Sequence, residues 1–154
     1  MRMSNTDVYA LHALGYLGTQ TVDERVSGDD ISAATGIARP YLMRVLATLV
    51  TAGIVASRKG PGGGYSLARP ASEISLRDVM RAIDGPIAPL SCVSLNWYHP
   101  CPMEGQCHAQ TGVYARLRDV MLEVLAKVSV ADLALDVGNG VDYRHCVQHV
   151  LPPN

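Results

Sequence analysis

Apolar residues recur every three or four positions in several runs along the chain, a spacing that predicts amphipathic helices. The first run follows Asn5 and Thr6, either of which can cap a helix. Its apolar positions are Val8, Leu11, Leu14 and Tyr16. The polar stretch TQTVDERVSGDD that comes next predicts a loop.

Two short helices joined by a tight turn are predicted after this loop. The first extends from Asp30 to Thr35, with Ser27 or Asp29 as its cap, and Gly36 ends it. Pro40 suits the first turn of the second helix. The apolar side of that helix carries Tyr41, Leu42, Val45, Leu46, Leu49 and Val50. The pair predicts a helix-turn-helix, although an ordinary helical hairpin would show the same pattern.

The hydrophobic period changes after Gly53, where the second of these helices ends. Ile54 to Ser57 predict a short strand, and RKGPGGGYSLA adds a basic pair, a glycine-rich turn and a return strand. A β-hairpin directly after the second helix of a helix-turn-helix is a wing. Because its tip has almost no side chains, the backbone can approach a DNA phosphate or enter a minor groove.

Helical periodicity returns in the second half of the chain. Ser75 and Asp78 resemble a capping box that opens the helix SLRDVMRAIDG, which Gly85 ends. A long helix is predicted from Ala109 to Val128. Its apolar stripe consists of Val113, Tyr114, Leu117, Val120, Met121, Val124, Leu125 and Val128. A small winged domain has little core left for so long a helix, so the stripe favours a homodimer over packing on its own domain.

A second Asp-type capping box, Ser129 with Asp132, opens a short helix that extends through Asp136. The predicted fold is mainly α with a small β-wing, a winged helix-turn-helix domain followed by a long C-terminal dimerisation helix. The predicted units are the DNA-binding domain (1–86), a cysteine-rich loop (87–108), the dimerisation helix with the short helix after it (109–136) and a flexible tail (137–154).

Composition agrees with a folded protein: hydrophobic residues make up 48% of the 154 positions and charged residues 18%. No apolar run approaches the ~20 residues that a membrane span needs. The N-terminus lacks the features of a signal peptide. We therefore expect a cytoplasmic protein with no membrane partner.

The net charge is only −1, but positive charge is concentrated between residues 38 and 70, which contain five basic residues and no Asp or Glu. Such a segment is typical of a DNA-binding surface, although a solvated basic face would look the same. The candidate DNA-binding residues are Arg39, Tyr41, Arg44, Arg58, Lys59, Gly62 and Gly63.

Three of the four cysteines lie in the segment CVSLNWYHPCPMEGQC, at Cys92, Cys101 and Cys107. Proline and glycine let such a loop bend until its thiolates converge on an iron–sulfur cluster. The alternatives are a structural zinc site, with His99 or His108 as the fourth donor, and a thiol switch. Cys146 in the tail is more consistent with an incidental thiol. An iron–sulfur enzyme or electron carrier is a remote alternative, because no catalytic constellation accompanies the cysteines.

Several segments together resemble one protein family: MRMSNTDVYAL, GIARPYLMRVLATLVTAGIV, SRKGPGGGYSLARP, EISLRDVMRAIDGP and the three loop cysteines before a long helix. This family is the bacterial winged-helix regulators that include the iron–sulfur cluster regulator IscR, the nitric-oxide-sensing repressor NsrR and the rhizobial iron regulator RirA. The resemblance covers about residues 1–136. It implies a homodimeric transcriptional regulator, a repressor rather than an enzyme, that binds a palindromic operator in double-stranded DNA.

The resemblance also implies a [2Fe–2S] or [4Fe–4S] cluster that changes DNA affinity in response to iron or cluster status, nitric oxide or redox stress. Its ligands would be Cys92, Cys101 and Cys107, with His108 or Asp7 as the fourth. Gln110 stands where IscR has its histidine ligand. A cluster-free regulator of the same fold, using thiol oxidation, structural zinc or a protein partner, is the alternative.

Overall fold

The computed structural model describes residues 4–21, 24–103 and 106–141. Within them the helices are α1 (Asn5–Gly18), α2 (Gly28–Thr35), α3 (Arg39–Thr51), α4 (Leu76–Asp84), α5 (His108–Lys127) and α6 (Val130–Gly138). The strands are β1 (Val55–Arg58) and β2 (Gly64–Leu67), and the 3₁₀ turns are Ala71–Glu73 and Ser91–Val93. This order confirms the mainly helical fold with a small β-wing.

The hydrophobic core lies around α1, which packs against α2, α3, α4 and α6. Leu14 of α1 and Leu46 of α3 are fully buried in it. Val130 is buried to the same extent, so the chain returns to the first domain after α5. We conclude that α6 completes the core of the winged domain.

The N-terminal cap of α1 is Ser4, and the prediction of a cap at Asn5 or Thr6 is wrong. The Asp7 backbone N–H donates to Ser4 Oγ at 3.2 Å, and the Ser4 backbone N–H donates to Asp7 Oδ2 at 2.7 Å. Only Ser4 has an acidic residue three positions later to complete this reciprocal pair. Helix α1 therefore begins at Asn5, before Val8, the first residue of its apolar pattern.

The two helices of the predicted helix-turn-helix are present as α2 and α3. Ser27 caps α2, and Gly36 ends it in the left-handed conformation, with φ 70°, that favours glycine. The core residues of α3 are Leu42, Val45, Leu46 and Leu49. Tyr41 is 55% exposed, so its assignment to the apolar side of α3 is wrong. Its ring lies outside the buried core, next to that of Tyr9 on α1.

The wing is an antiparallel hairpin in which Arg58 of β1 lies opposite Gly64 of β2. Val26 extends it: its N–H donates to Tyr65 O at 2.9 Å, and Tyr65 N–H donates back at 2.8 Å. Val26 belongs to the stretch predicted to be a loop, so this bridge was missed. A Cβ at Gly63 would overlap the carbonyl oxygen of Arg58, so the tip can close only with glycine there.

Both predicted Asp-type capping boxes are present, Ser75 with Asp78 at α4 and Ser129 with Asp132 at α6. They lie side by side because Ser75 and Ser129 form an antiparallel bridge. Helix α6 continues to Gly138, beyond its predicted end. In the described part of the chain, no helix has the length and apolar character of a membrane span. Most of the predicted tail, including Cys146, lies outside the described residues.

Candidate DNA-binding surface and cysteine loop

Helix α3 exposes basic and aromatic side chains on the side away from the core, where Arg39, Tyr41 and Arg44 lie. Arg39 is paired: its Nε lies 2.6 Å from Asp29 Oδ1 on α2. Arg44 forms no ion pair with any other described residue. The basic segment 38–70, which has no acidic residue of its own, therefore has an acidic neighbour on α2. Arg44 carries the positive charge on α3 that no described residue pairs.

At the wing, Arg58 and Lys59 are exposed and form no ion pair within the described part of the chain. Gly62 follows at the tip with φ 69°, and no atom would lie within 4 Å of a Cβ there. Gly63 lies against the Arg58 carbonyl oxygen, so the turn has no room for a side chain there. Within the described residues, the wing therefore presents two unpaired cations beside a tip whose only side chain is that of Pro61, which suits contact with a phosphate.

The wing is joined to α4 by an ion pair between Arg69 Nη2 and Asp78 Oδ2, 3.3 Å apart. Burial opposes ionisation of Asp78, but hydrogen bonds from Ser75 and the Arg69 guanidinium outweigh it and lower the pKa of this carboxyl. Arg69 therefore connects the wing to the domain, and we do not count it among the cations available to DNA.

A cleft of about 420 Å³ separates the first turns of α1 from the exposed face of α3. Its polar lining includes Asn5, Thr6, Tyr9, Tyr41 and Arg44. The Tyr9 and Tyr41 rings are neighbours, with centroids 6.2 Å apart. Hydroxyl, amide and guanidinium donors at a helix N-terminus are suited to a phosphate oxygen. The sequence pattern alone did not reveal this cleft, because it depends on how α1 crosses α3.

Helix α5 divides its apolar stripe between two environments. Met121, Leu125 and Val128 are partly buried. Val113, Leu117, Val120 and Val124 are between 45% and 65% exposed. A row of four exposed aliphatic side chains on one helix face is typical of an interface.

The first half of the cysteine loop is an ordered turn with Cys92 in its centre. Cys92 is the middle residue of the 3₁₀ turn Ser91–Val93. Ser94 is buried, and its Oγ accepts a hydrogen bond from the Trp97 backbone N–H at 3.0 Å. The Trp97 and His99 rings lie against each other, with centroids 4.8 Å apart.

Two arginines from different helices hold this turn. Arg118 Nη1 of α5 donates to the Val93 carbonyl, and Arg81 Nη2 of α4 donates to Asn96 Oδ1 at 2.9 Å. Their sequence positions gave no signal for these roles, because the partners are 25 and 15 residues away.

Cys92, Cys101 and Cys107 are all partly buried thiols without a disulfide. Their donor type fits an iron–sulfur cluster, because clusters are held by thiolates. The described residues, however, contain no group of three or more His, Cys, Asp or Glu side chains arranged to hold a metal ion. Holding a cluster would require the three thiolates to converge on one compact core.

The two candidates for the fourth ligand differ in what the structure shows of them. The His108 side chain lies outside the described residues. Asp7 is fully buried, with Oδ2 in the Ser4 capping box and its carboxyl beside that of Asp84. Burial first, and then the Asp7 carboxyl, raise the pKa of Asp84. Asp7 thus has a structural role through Oδ2, whereas its buried Oδ1 forms no hydrogen bond with the described residues.

The helix-turn-helix followed by a two-stranded wing defines the winged-helix class of DNA-binding proteins. The sequence profile of the Rrf2 family, described as iron-dependent transcriptional regulators, matches residues 3–136. The chain belongs to the Rrf2 family.

Relatives within and near this family are regulators. The chain is 41% identical over 134 residues to a Mycobacterium tuberculosis protein, Rv1287, named as an HTH-type transcriptional regulator, covering 87% of this chain and 81% of that one. This relative and the matching family profile are both described as transcriptional regulators, which confirms the prediction of a transcriptional regulator.

Solved structures of similar fold include two kinds of regulator. CymR of Bacillus subtilis, the global cysteine regulator, has a TM-score of 0.72 and 27% identity, covering 88% of this chain and 97% of that one. IscR of T. potens has a TM-score of 0.68 and 26% identity, covering 91% and 90%. The oxidized form of Staphylococcus aureus CymR has a TM-score of 0.65 and 27% identity, covering 87% and 96%.

Proposed function

We propose that the protein is a homodimeric repressor that binds a palindromic operator through α3 and the wing. The observation that carries this proposal is the exposed positive charge of Arg44, Arg58 and Lys59 on α3 and the wing, which no acidic residue in the described part of the chain pairs. Selection of bound sequences from random double-stranded DNA tests it. A palindrome with half-sites about one helical turn apart is expected. Recovery of no enriched sequence would count against specific binding.

The dimer in this proposal uses the exposed face of α5. Val113, Leu117, Val120 and Val124 would meet their symmetry mates and leave solvent. A dimer would present twice the cation set of one chain, which matches a two-fold symmetric operator. Residues 109–136 would then divide their roles, α5 to the dimer and α6 to the core of the winged domain.

We propose further that a [2Fe–2S] or [4Fe–4S] cluster on Cys92, Cys101 and Cys107 sets operator affinity. Three thiols in one proline- and glycine-containing loop support this proposal, as does the IscR neighbour. Such a cluster supplies a redox-labile metal centre. The chain's own contribution is to hold the Cys92 turn between α4 and α5.

Anaerobic purification with iron and sulfide analysis tests the cluster. We expect coloured protein with comparable iron and sulfide contents, and loss of colour on replacing any of the three cysteines by Ala. Cys146→Ala should stay coloured. Colourless protein carrying one zinc per chain would instead indicate a structural metal.

A thiol switch is the second candidate function. The partial exposure of the three cysteines and the oxidized CymR neighbour favour it. In this version hydrogen peroxide oxidises two loop thiols to a disulfide and is itself reduced to two water molecules, and the new bond changes the loop between α4 and α5. Peroxide treatment of metal-free protein, followed by mass spectrometry and operator titration, tests it: the thiol hypothesis predicts a specific loop disulfide that changes operator affinity, and a disulfide without effect on affinity would contradict it.

A further inference from the structure

The Cys92 turn is held from α5 by a single, largely enclosed guanidinium. Arg118 is only 14% exposed, and its Nη1 donates to the carbonyl of Val93, the residue after Cys92. Its Nη2 lies 2.7 Å from Asp119 Oδ1, so the guanidinium has an acidic partner on its other side. A planar guanidinium can serve both partners at once because its donors point in fixed directions.

The turn that Arg118 holds is internally well connected. Val93 and Ser94 are buried, and the His99 backbone N–H donates to Ser91 O at 3.3 Å. Because Cys92 lies between Ser91 and Val93, fixing the Val93 carbonyl also fixes the place of the Cys92 thiol. Loss of the Arg118 bond would leave that carbonyl without its charged donor, a costly change in a buried position.

The segment just after this turn is bonded to α4 through the contact between Arg81 and Asn96. Helix α4 begins at the capping box of Asp78, which is also the ion-pair partner of Arg69 beside the wing. Hydrogen bonds therefore connect the segment around Cys92 to two helices. Arg81 connects it to α4 of the DNA-binding domain, and Arg118 connects it to α5, the proposed dimer helix.

We infer that Arg118 is the positioning residue of Cys92 and the link through which a change at this thiol reaches α5. The positioning role stands on the hydrogen bonds alone. The functional consequence rests on the proposed sensing role of the loop. Arg81 is the corresponding link to α4.

The test uses the full-length, reduced, metal-free chain and alkylation by iodoacetamide, followed at each cysteine by mass spectrometry. Arg118→Gln should raise the alkylation rate of Cys92 about tenfold, because one charged hydrogen bond no longer keeps the turn closed. Cys101, as the internal reference, should change less than about twofold. Arg116→Gln is the matched control, since it removes the same charge from the exposed side of α5.

Rescue by a conservative variant separates positioning from general stability. Arg118→Lys keeps one charged donor, so its Cys92 rate should stay within about threefold of the wild-type rate. If Arg118→Gln does not fold, Asp119→Asn provides the second variant: it leaves the arginine without its acidic partner and should raise the Cys92 rate selectively. An unchanged Cys92 rate in folded Arg118→Gln, or an equal rise at Cys101, would overturn the inference.

Amide hydrogen exchange tests the link to α5. Blocking the thiols with N-ethylmaleimide should change exchange in residues 113–120 of the wild-type chain, and Arg118→Gln should lose that change. The same change in both proteins would overturn the link. Neither readout uses DNA or a cluster, so failure of the proposed function and failure of this inference are distinguishable.

Discussion

Removing both basic side chains at the base of the wing, with Arg58→Ala and Lys59→Ala, should weaken DNA binding at every sequence and flatten its dependence on salt. Both side chains are exposed, and neither is paired with another described residue. Each can therefore neutralise a DNA phosphate and release a counterion on binding. Arg39 and Arg69 are already paired with carboxylates and contribute less.

The size of the effect follows from the number of cations on α3 and the wing that form no ion pair with a described residue. Arg44, Arg58 and Lys59 are three such cations in each chain, and a homodimer presents twice that number. At about 0.9 per phosphate, the log–log slope of affinity against salt should be about −5 for the wild type and about −2 for the double variant. Between 50 and 200 mM salt, wild-type affinity should fall about 10³-fold and variant affinity only about tenfold.

Fluorescence anisotropy of a labelled operator and of a random duplex, each titrated at four salt concentrations, measures both slopes. Arg116→Gln removes a charge from α5 and should leave the slope unchanged. Asp29→Asn should strengthen binding, because it frees Arg39 from its ion pair. A double variant with the wild-type slope would refute the assignment of the wing to the phosphate backbone.

Two further predictions concern assembly and stability. Leu117→Asp with Val124→Asp should raise the dimer dissociation constant, measured by sedimentation, at least about 100-fold, because each substitution buries a charge in an apolar interface. Leu135→Asp, at an exposed leucine on α6, should stay dimeric, and a dimeric double variant would place the interface elsewhere. Asp84→Asn should raise Tm by about 1–3 °C at pH 7, since it removes a partly exposed carboxylate from beside Asp7. The raised pKa of Asp84 means that its protonated form stabilises the fold at low pH, and this contribution is lost as pH rises through that pKa. The increase in Tm caused by Asp84→Asn should therefore vanish below pH ~4. An increase in Tm that persists at that pH would contradict this explanation.

Local chemistry explains why the helix-turn-helix and wing were predictable from sequence. A cap such as Ser27, a left-handed glycine such as Gly36 and the Ser75 and Ser129 capping boxes act within four residues, so their signals are complete in a short window. The long α5 helix was predictable for the same reason, from its apolar repeat. Whether that repeat forms the dimer stays a prediction.

The features that the sequence pattern predicts wrongly or does not predict depend on residues far apart in sequence, or on a choice between neighbouring residues for the same role. Ser4 was missed because Asp7 makes it a better cap than the residues beside the apolar pattern. Periodicity predicts Tyr41 on the apolar side of α3, but it cannot say how far along that helix the buried core extends. The Val26 bridge is a single residue pair with no strand pattern of its own.

In the cysteine loop, too, the sequence predicts the kind of chemistry but not the contacts that position the residues. The residue types of Cys92, Cys101 and Cys107 suggested metal or redox chemistry directly. The contacts that position the loop did not, because Arg118 and Arg81 are ordinary helix-surface arginines until folding brings Val93 and Asn96 to them. Their importance is visible only in three dimensions.

The measurement that tests the central proposal most directly is operator affinity of one anaerobic preparation before and after chelation of its iron, at fixed salt. If the cluster sets DNA affinity, Kd should change by about tenfold or more, within the range of typical allosteric coupling, while the far-ultraviolet circular dichroism spectrum stays the same. An equal Kd in the two states, with the cluster shown to be lost, would contradict the proposal that the cysteine loop controls DNA binding through iron.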